Sequence, residues 1–357
     1  MPTRRRRGEE PGWRWRGVLR RAPLVLLFVS GALSGVLLWG YTPDLPRDIL
    51  IERYGRPPST FIDVGGTRAH VLDTQMLEPG KSDAMPLILV HGSLESLQVW
   101  DGWVAELKDR YRLISVDLPG HGLTGPWARG EYTVDAYADF IEVLADTLQL
   151  DRFAIAGHSL GGAVAWTFAA TRPERVSHLI LVDAAAYPRE SKPTWRTQLA
   201  RAPVIGDIGI YFKPEWVVRD ALKEVYADPA MVTPERVRRF AELQRYPGNR
   251  KATLQRTRTQ EPLDPTPLRR LDVPTLIVWG TQDRWTPVAD AFRLQTDIKG
   301  AKLALFSKAG HNPMEEDPKG TAQAVADFLP SEVASPIAPP PPPTSDQVAP
   351  AVVPEKD

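Results

Sequence analysis

One stretch constrains this chain more than any other: Phe153-Ala154-Ile155-Ala156-Gly157-His158-Ser159-Leu160-Gly161-Gly162-Ala163. A short apolar run ends in Gly-x-Ser-x-Gly, and Leu160 to Thr171 continues with the alanines and small residues of a helix. That order predicts strand, sharp turn, helix. The turn demands a strained backbone at Ser159, and the chain passes so close on either side that only glycine fits at Gly157 and Gly161. Ser159 therefore stands at the top of a sheet. The backbone N–H of Leu160, at the start of the helix, faces any oxyanion formed when the hydroxyl attacks a carbonyl.

With 357 residues the chain can build one large α/β domain or two smaller ones. Lysine plus arginine equals aspartate plus glutamate, 44 against 44, so no nucleic-acid partner is expected. The absence of cysteine excludes thiol catalysis, disulfides and Cys-ligated metals. Charge is unevenly placed. Arg4 to Arg7, Arg14, Arg16, Arg20 and Arg21 precede the uncharged run Ala22 to Tyr41, whose helical length of roughly 30 Å matches a bilayer core. This is a candidate membrane anchor, with a cleaved signal peptide as the alternative. Trp39 and Tyr41 stand where an interfacial belt belongs, and no clear small-x-small cleavage site follows. The arginines before the span leave the N-terminus cytoplasmic and the main domain extracytoplasmic, on the periplasmic side in a bacterium. From Ser331 the chain becomes a Pro/Ala/Ser tail, uninterrupted proline from Pro339 to Pro343, which reads as extended and uncored.

Between these ends, Thr60 to Val64 and Arg68 to Leu72 flank Gly65-Gly66 as a hairpin. Leu87 to Val90, Arg112 to Val116, His178 to Val182, Thr275 to Trp279 and Lys302 to Phe306 are continuous apolar runs of buried-strand length. Helices are expected over Trp100 to Arg110 and after Thr133, where Val134, Tyr137, Ala138, Ile141, Leu144, Ala145 and Leu148 repeat at helical spacing. Strands alternating with helices imply an α/β fold with a mostly parallel, doubly wound sheet, whose ligands sit at the carboxyl ends of the strands. From about Tyr187 to Arg270 no strand is evident. Pro-punctuated helical pieces, one capped by Thr233 with Pro234 in its first turn, form an inserted cap carrying Trp195, Tyr211, Phe212, Trp216, Tyr226, Phe240 and Tyr246. Most of these aromatics are expected to hold the cap together, some to line a pocket. Arg250, Arg256, Arg258, Arg269 and Arg270 cluster late in it, as a solvated face or a basic rim for anions or lipid headgroups. The expected division is a basic N-terminus (1–21), an anchor (22–41), a linker (42–59), a core in two parts (60–186 and 271–330), the cap (187–270) and the tail (331–357).

Ser159 needs a base, and histidine suits that near neutrality. His70 lies in the hairpin, His91 and His121 in glycine turns, His158 inside the elbow, and His178 at a strand start. His311, in Ala309-Gly310-His311-Asn312-Pro313-Met314, follows the last strand on a loop, where its ring is expected free above the sheet. The base in turn needs an orienting carboxylate. Asp283 follows the preceding strand at the same edge, and Asp183 is its competitor.

The order Ser159, Asp283, His311, together with His91-Gly92 and Asp117-Leu118-Pro119-Gly120-His121-Gly122, resembles the α/β-hydrolase fold superfamily over roughly Phe61 to Leu329. Within it the chain is most similar to capped serine esterases, C–C hydrolases and cofactor-free haloperoxidases. The resemblance implies a second oxyanion donor from the backbone of Ser93 or Leu94, beside Leu160. It implies no metal or organic cofactor, and a small acyl compound as substrate. A serine at the elbow disfavours the haloalkane dehalogenases and epoxide hydrolases, which carry aspartate there. Three readings are thus set out: a membrane-anchored hydrolase of carboxylic esters, a C–C hydrolase or perhydrolase with the same triad, and a non-catalytic binding or scaffold protein.

Overall fold

The computed structural model describes residues 27–28, 30–31, 35, 40–76, 84–188, 198 and 201–330. Most of the expected anchor and the whole proline-rich tail lie outside them. Among the described residues no helix is long and apolar enough to cross a membrane.

The strands are β1 (Ser59–Val64), β2 (Thr67–Asp73), β3 (Pro86–Val90), β4 (Arg112–Val116), β5 (Phe153–His158), β6 (Val176–Val182), β7 (Thr275–Gly280) and β8 (Lys302–Phe306). They form one sheet in the order β1-β2-β4-β3-β5-β6-β7-β8. The hairpin β1-β2 and its junction with β4 are antiparallel, and every other pairing is parallel. Each apolar run in the sequence thus finds a place within a residue or two of its expected bounds.

The inner strands are apolar on both faces because helices cover both. In β5, Phe153 and Ile155 face one cluster, shared with α3 (Val134–Thr147) and α4 (Leu160–Thr171), while Ala154 and Ala156 face the other. Trp100 and Trp103, fully buried, belong to that second cluster, beside α2 (Asp101–Leu107) and α11 (Pro318–Phe328). The helix expected over Trp100 to Arg110 is shorter and starts as a 3₁₀ turn over Leu97–Trp100. Thr133 caps α3, its hydroxyl accepting from Ala136 N at 3.1 Å.

Between β6 and β7 the described residues contain no strand but carry α5 (Ile205–Gly209), α6 (Glu215–Val225), α7 (Pro234–Gln244) and α8 (Asn249–Thr259). Thr233 caps α7 with Pro234 in its first turn. Tyr226, Phe240 and Tyr246 are buried, whereas Trp216 is half exposed, and Trp195 lies outside the described residues. The stretch 42–59, expected as a linker, instead holds α1 (Arg47–Tyr54) and is bound to the insertion. Leu50 packs with Leu123, Leu243 and Tyr246, and Leu45 N donates to Arg245 O at 2.9 Å. The remaining helices are α9 (Val288–Asp297) and α10 (Pro313–Glu316).

Candidate active site

At the junction of β5 and α4, Ser159 has φ 51° and ψ −113°, a backbone that L-residues avoid. The strain is held from both sides: Ser159 N donates to Val182 O at 3.0 Å, and Ser159 O accepts from Ala185 N at 2.9 Å. A Cβ on Gly157 would lie 2.0 Å from Gly161 O, and one on Gly161 would lie 2.2 Å from Val90 O, so neither position admits a side chain. Leu160 is the first residue of the helix.

The loop after β3 runs alongside. A Cβ built on Gly92 would stand 3.1 Å from Ser159 Cβ, which brings Ser93 and Leu94 next to the elbow. Leu94 has φ 65°, and its neighbour Glu95 closes the turn by accepting from Gly92 N at 2.7 Å. His91 is spent on that loop: Nδ1 donates to Gly92 O, and Nε2 accepts from Leu118 N at 3.0 Å.

His311 follows β8, its backbone N donating to Val225 O at 2.7 Å. Its Nδ1 meets Asp283 Oδ2 at 2.7 Å. Facing a carboxylate, Nδ1 must carry the proton, which leaves Nε2 with a free lone pair. Asp283 is fixed in turn by N–H groups of Trp285 and Thr286 and by the Thr286 hydroxyl. Burial would raise its carboxyl, but the hydrogen bonds from His311 and Thr286 outweigh it and hold the group below the usual carboxylate range. Burial pulls His311 below its ordinary value, and the nearby charge of His158 pulls it further, while Asp283 opposes both. The imidazole is therefore neutral near pH 7, as a base must be. Asp183 approaches Asp283 rather than His311 and accepts from Gly280 N at 3.1 Å. Burial and the Asp283 charge raise it well above the usual range. Asp183, Asp283 and His311 gather closely enough to hold a metal ion, but the mutual bonds of Asp283 and His311 occupy the facing atoms.

Among the described residues no hydrogen bond joins the Ser159 hydroxyl to the imidazole. His158, which precedes Ser159 inside the elbow, packs directly against His311. Its ring centroid lies 4.7 Å from that of His311, and its Nε2 donates to the His311 carbonyl at 2.7 Å. Its Nδ1 meets Glu95 Oε2 at 2.8 Å. Both nitrogens face acceptors only, so His158 is an imidazolium. Burial would lower it, but the Glu95 charge prevails and raises it. Burial would likewise raise Glu95, yet His158 and the amide of Asn312 bring it to about 2. A fully enclosed ion pair thus anchors the backbone of the candidate base. The signal for it was Glu95 itself, the one carboxylate in the turn Gly92-Ser93-Leu94-Glu95-Ser96-Leu97.

A continuous line of hydroxyl, imidazole and carboxylate is found elsewhere among the described residues. His70 meets Asp117 Oδ2 at 2.7 Å and Ser59 Oγ at 2.8 Å. Ser59, however, donates its proton to Arg56 O, sits on an ordinary strand and is buried with its partners. This line ties β1, β2 and the end of β4 together.

Four of the five late arginines are bonded within the fold, and the fifth, Arg270, is exposed. Arg250 is 6 % exposed and bonds Asp44 and Thr42 O, because the 42–59 segment covers it. Arg258 and Arg269 pair with Asp207 and Asp297. Arg256 turns inward and donates to Ser93 Oγ.

Comparison with known proteins agrees with the topology. A family model described as the alpha/beta hydrolase fold matches residues 85–318. The 2-hydroxy-6-oxo-2,4-heptadienoate hydrolase of Pseudomonas putida is 28 % identical over 269 residues, 73 % of this chain and 94 % of that one. The pimeloyl-(acyl-carrier protein) methyl ester esterase of Nitrosomonas europaea is 30 % identical over 245 residues, 65 % of this chain and 91 % of its own. Among solved structures, a meta-cleavage product hydrolase from Pseudomonas fluorescens superposes with a TM-score of 0.63 at 25 % identity, covering 75 % of this chain and 96 % of that one.

Proposed function

From the premise that this chain belongs to the alpha/beta hydrolase fold family, we propose that it is a serine hydrolase of carboxylic esters working through an acyl-enzyme. The observation that carries the reading is the 2.7 Å bond between His311 Nδ1 and Asp283 Oδ2, made beside a serine held at φ 51° on a strand-to-helix elbow. Ser159 Oγ attacks the ester carbonyl while His311 Nε2 takes its proton. The backbone N–H of Leu160 and that of Ser93 or Leu94 receive the oxyanion, each contributing on the order of 3 kcal/mol to the transition state. The imidazolium, steadied by Asp283, returns the proton to the leaving alcohol, and water then attacks the acyl-enzyme with His311 again as base. The esterase relative supports the ester class. The dienoate hydrolase relative supports a second reading, cleavage of a C–C bond by the same residues.

The basic segment and apolar run before residue 42 support an anchored enzyme with its catalytic domain extracytoplasmic. A panel of 4-nitrophenyl esters tests the main reading: Ser159→Ala should abolish turnover without changing the melting temperature by more than a few degrees. Full turnover by that variant would overturn it.

A further inference from the structure

Among the described residues two of the late arginines, Arg256 and Arg270, have no carboxylate partner, and of these Arg270 is exposed while Arg256 turns inward. Arg250, Arg258 and Arg269 each have one. The Arg256 Nη2 donates to Ser93 Oγ, and its Nε is buried with no hydrogen-bond partner. Burial holds the group below the ordinary arginine range, and only the distant Tyr137 hydroxyl opposes that. Arginine does not shed its proton to relieve such a position. A desolvated cation without a counter-charge is costly, and proteins keep one where a ligand completes it.

The location says which ligand. Ser93 belongs to the loop that passes beside Ser159, so the guanidinium lies one side chain away from the proposed oxyanion donors. Arg256 and Leu160 also line the same cavity of about 1020 Å³, which presents Trp166 and Leu263 together with Arg270 and the carboxylates Asp135, Glu174, Glu261, Asp264 and Asp272, so that Arg256 is the cation of that wall nearest the Ser93 loop. We propose that Arg256 is an anion subsite that selects acyl substrates carrying a carboxylate on the acyl portion. The planar N–H fork of arginine matches a carboxylate in two parallel bonds, a geometry that lysine does not reproduce. The apolar wall takes the methylenes between the carboxylate and the scissile carbonyl.

This subsite rests on the serine-hydrolase reading, and the experiment separates the two. Mono-4-nitrophenyl glutarate and 4-nitrophenyl pentanoate have the same acyl length and differ in the terminal carboxylate. The full-length protein should favour the glutarate monoester in kcat/KM. Arg256→Gln should lower that preference about 10- to 100-fold, and Arg256→Lys should restore part of it. In parallel, glutarate should bind the Ser159→Ala protein by calorimetry, with affinity lost in Ser159→Ala/Arg256→Gln. Removal of an uncompensated cation should leave the melting temperature equal or higher. An equal loss for both esters would overturn the subsite, since it would mean that Arg256 only braces the Ser93 loop. Absence of glutarate binding would overturn it too. If neither ester is cleaved, the hydrolase reading falls, while the glutarate titration still decides the subsite.

Discussion

Replacing Glu95 by glutamine probes the buried pair that anchors His311. In the native protein the carboxylate accepts from Gly92 N at 2.7 Å, His158 Nδ1 at 2.8 Å and Asn312 Nδ2 at 2.8 Å. An amide of the same shape cannot carry the charge, and one of its two atoms no longer accepts. The drop of the Glu95 carboxyl from 4.5 to about 2, at about 1.4 kcal/mol per pH unit, corresponds to about 3 kcal/mol. That agrees with the roughly 3–5 kcal/mol cost of breaking a buried ion pair from one side. Because the folded-state value lies below the unfolded one, the contribution is complete above about pH 4.5 and fades as the pH falls toward 2. Urea unfolding should therefore show Glu95→Gln about 3 kcal/mol less stable than the parent at pH 7, with the gap narrowed to about half at pH 3. A variant within 1 kcal/mol of the parent at pH 7, or a gap that does not change with pH, would refute the pair as described.

Further outcomes follow from the same geometry. Asp283→Asn should lower kcat about 10⁴-fold, because an amide at Oδ2 turns the His311 tautomer over; steady-state turnover of a nitrophenyl ester measures it. The acid limb of kcat/KM should have its midpoint below the ordinary imidazole value of about 6.5, since burial and the His158 charge both disfavour protonation of His311. A midpoint at or above that value would contradict the environment described for the base. Gly161→Ala should fail to give soluble folded protein, because its Cβ would press on two backbone carbonyls, Val90 O at 2.2 Å and His91 O at 2.6 Å; a cooperative thermal transition close to that of the parent would contradict this.

The strands were legible because apolar runs bounded by turn residues leave few alternatives, and β3 to β8 each start or end within two residues of where the pattern puts them. The elbow was legible for a stronger reason: the close approach of Gly161 to Val90 O allows one residue type only. Asp283 was preferred to Asp183 in the sequence from the order of the motifs, although each follows a strand at the same sheet edge, and the structure places Asp283 on the imidazole and Asp183 against Asp283. The pairing of Glu95 with His158 was missed because it spans sixty-three positions and His158, though inside the elbow motif, occupies one of its variable places. The arginines of α8 were read as a face because helical spacing says which residues share a side but not what covers it. The 42–59 segment covers Arg250, and the Ser93 loop receives Arg256.

Among the described residues Ser59, on a buried strand, is hydrogen-bonded in line with His70 and Asp117, while Ser159, on a strained elbow, is the nucleophile proposed to work with His311 and Asp283. Reaction of the intact protein with a fluorophosphonate, followed by peptide mapping, distinguishes them in one step. A single adduct on Ser159, abolished by His311→Ala and indifferent to Ser59→Ala, is the expected result. An adduct on Ser59, or a protein that stays unlabelled while folded, would contradict the assignment of Ser159 as the nucleophile.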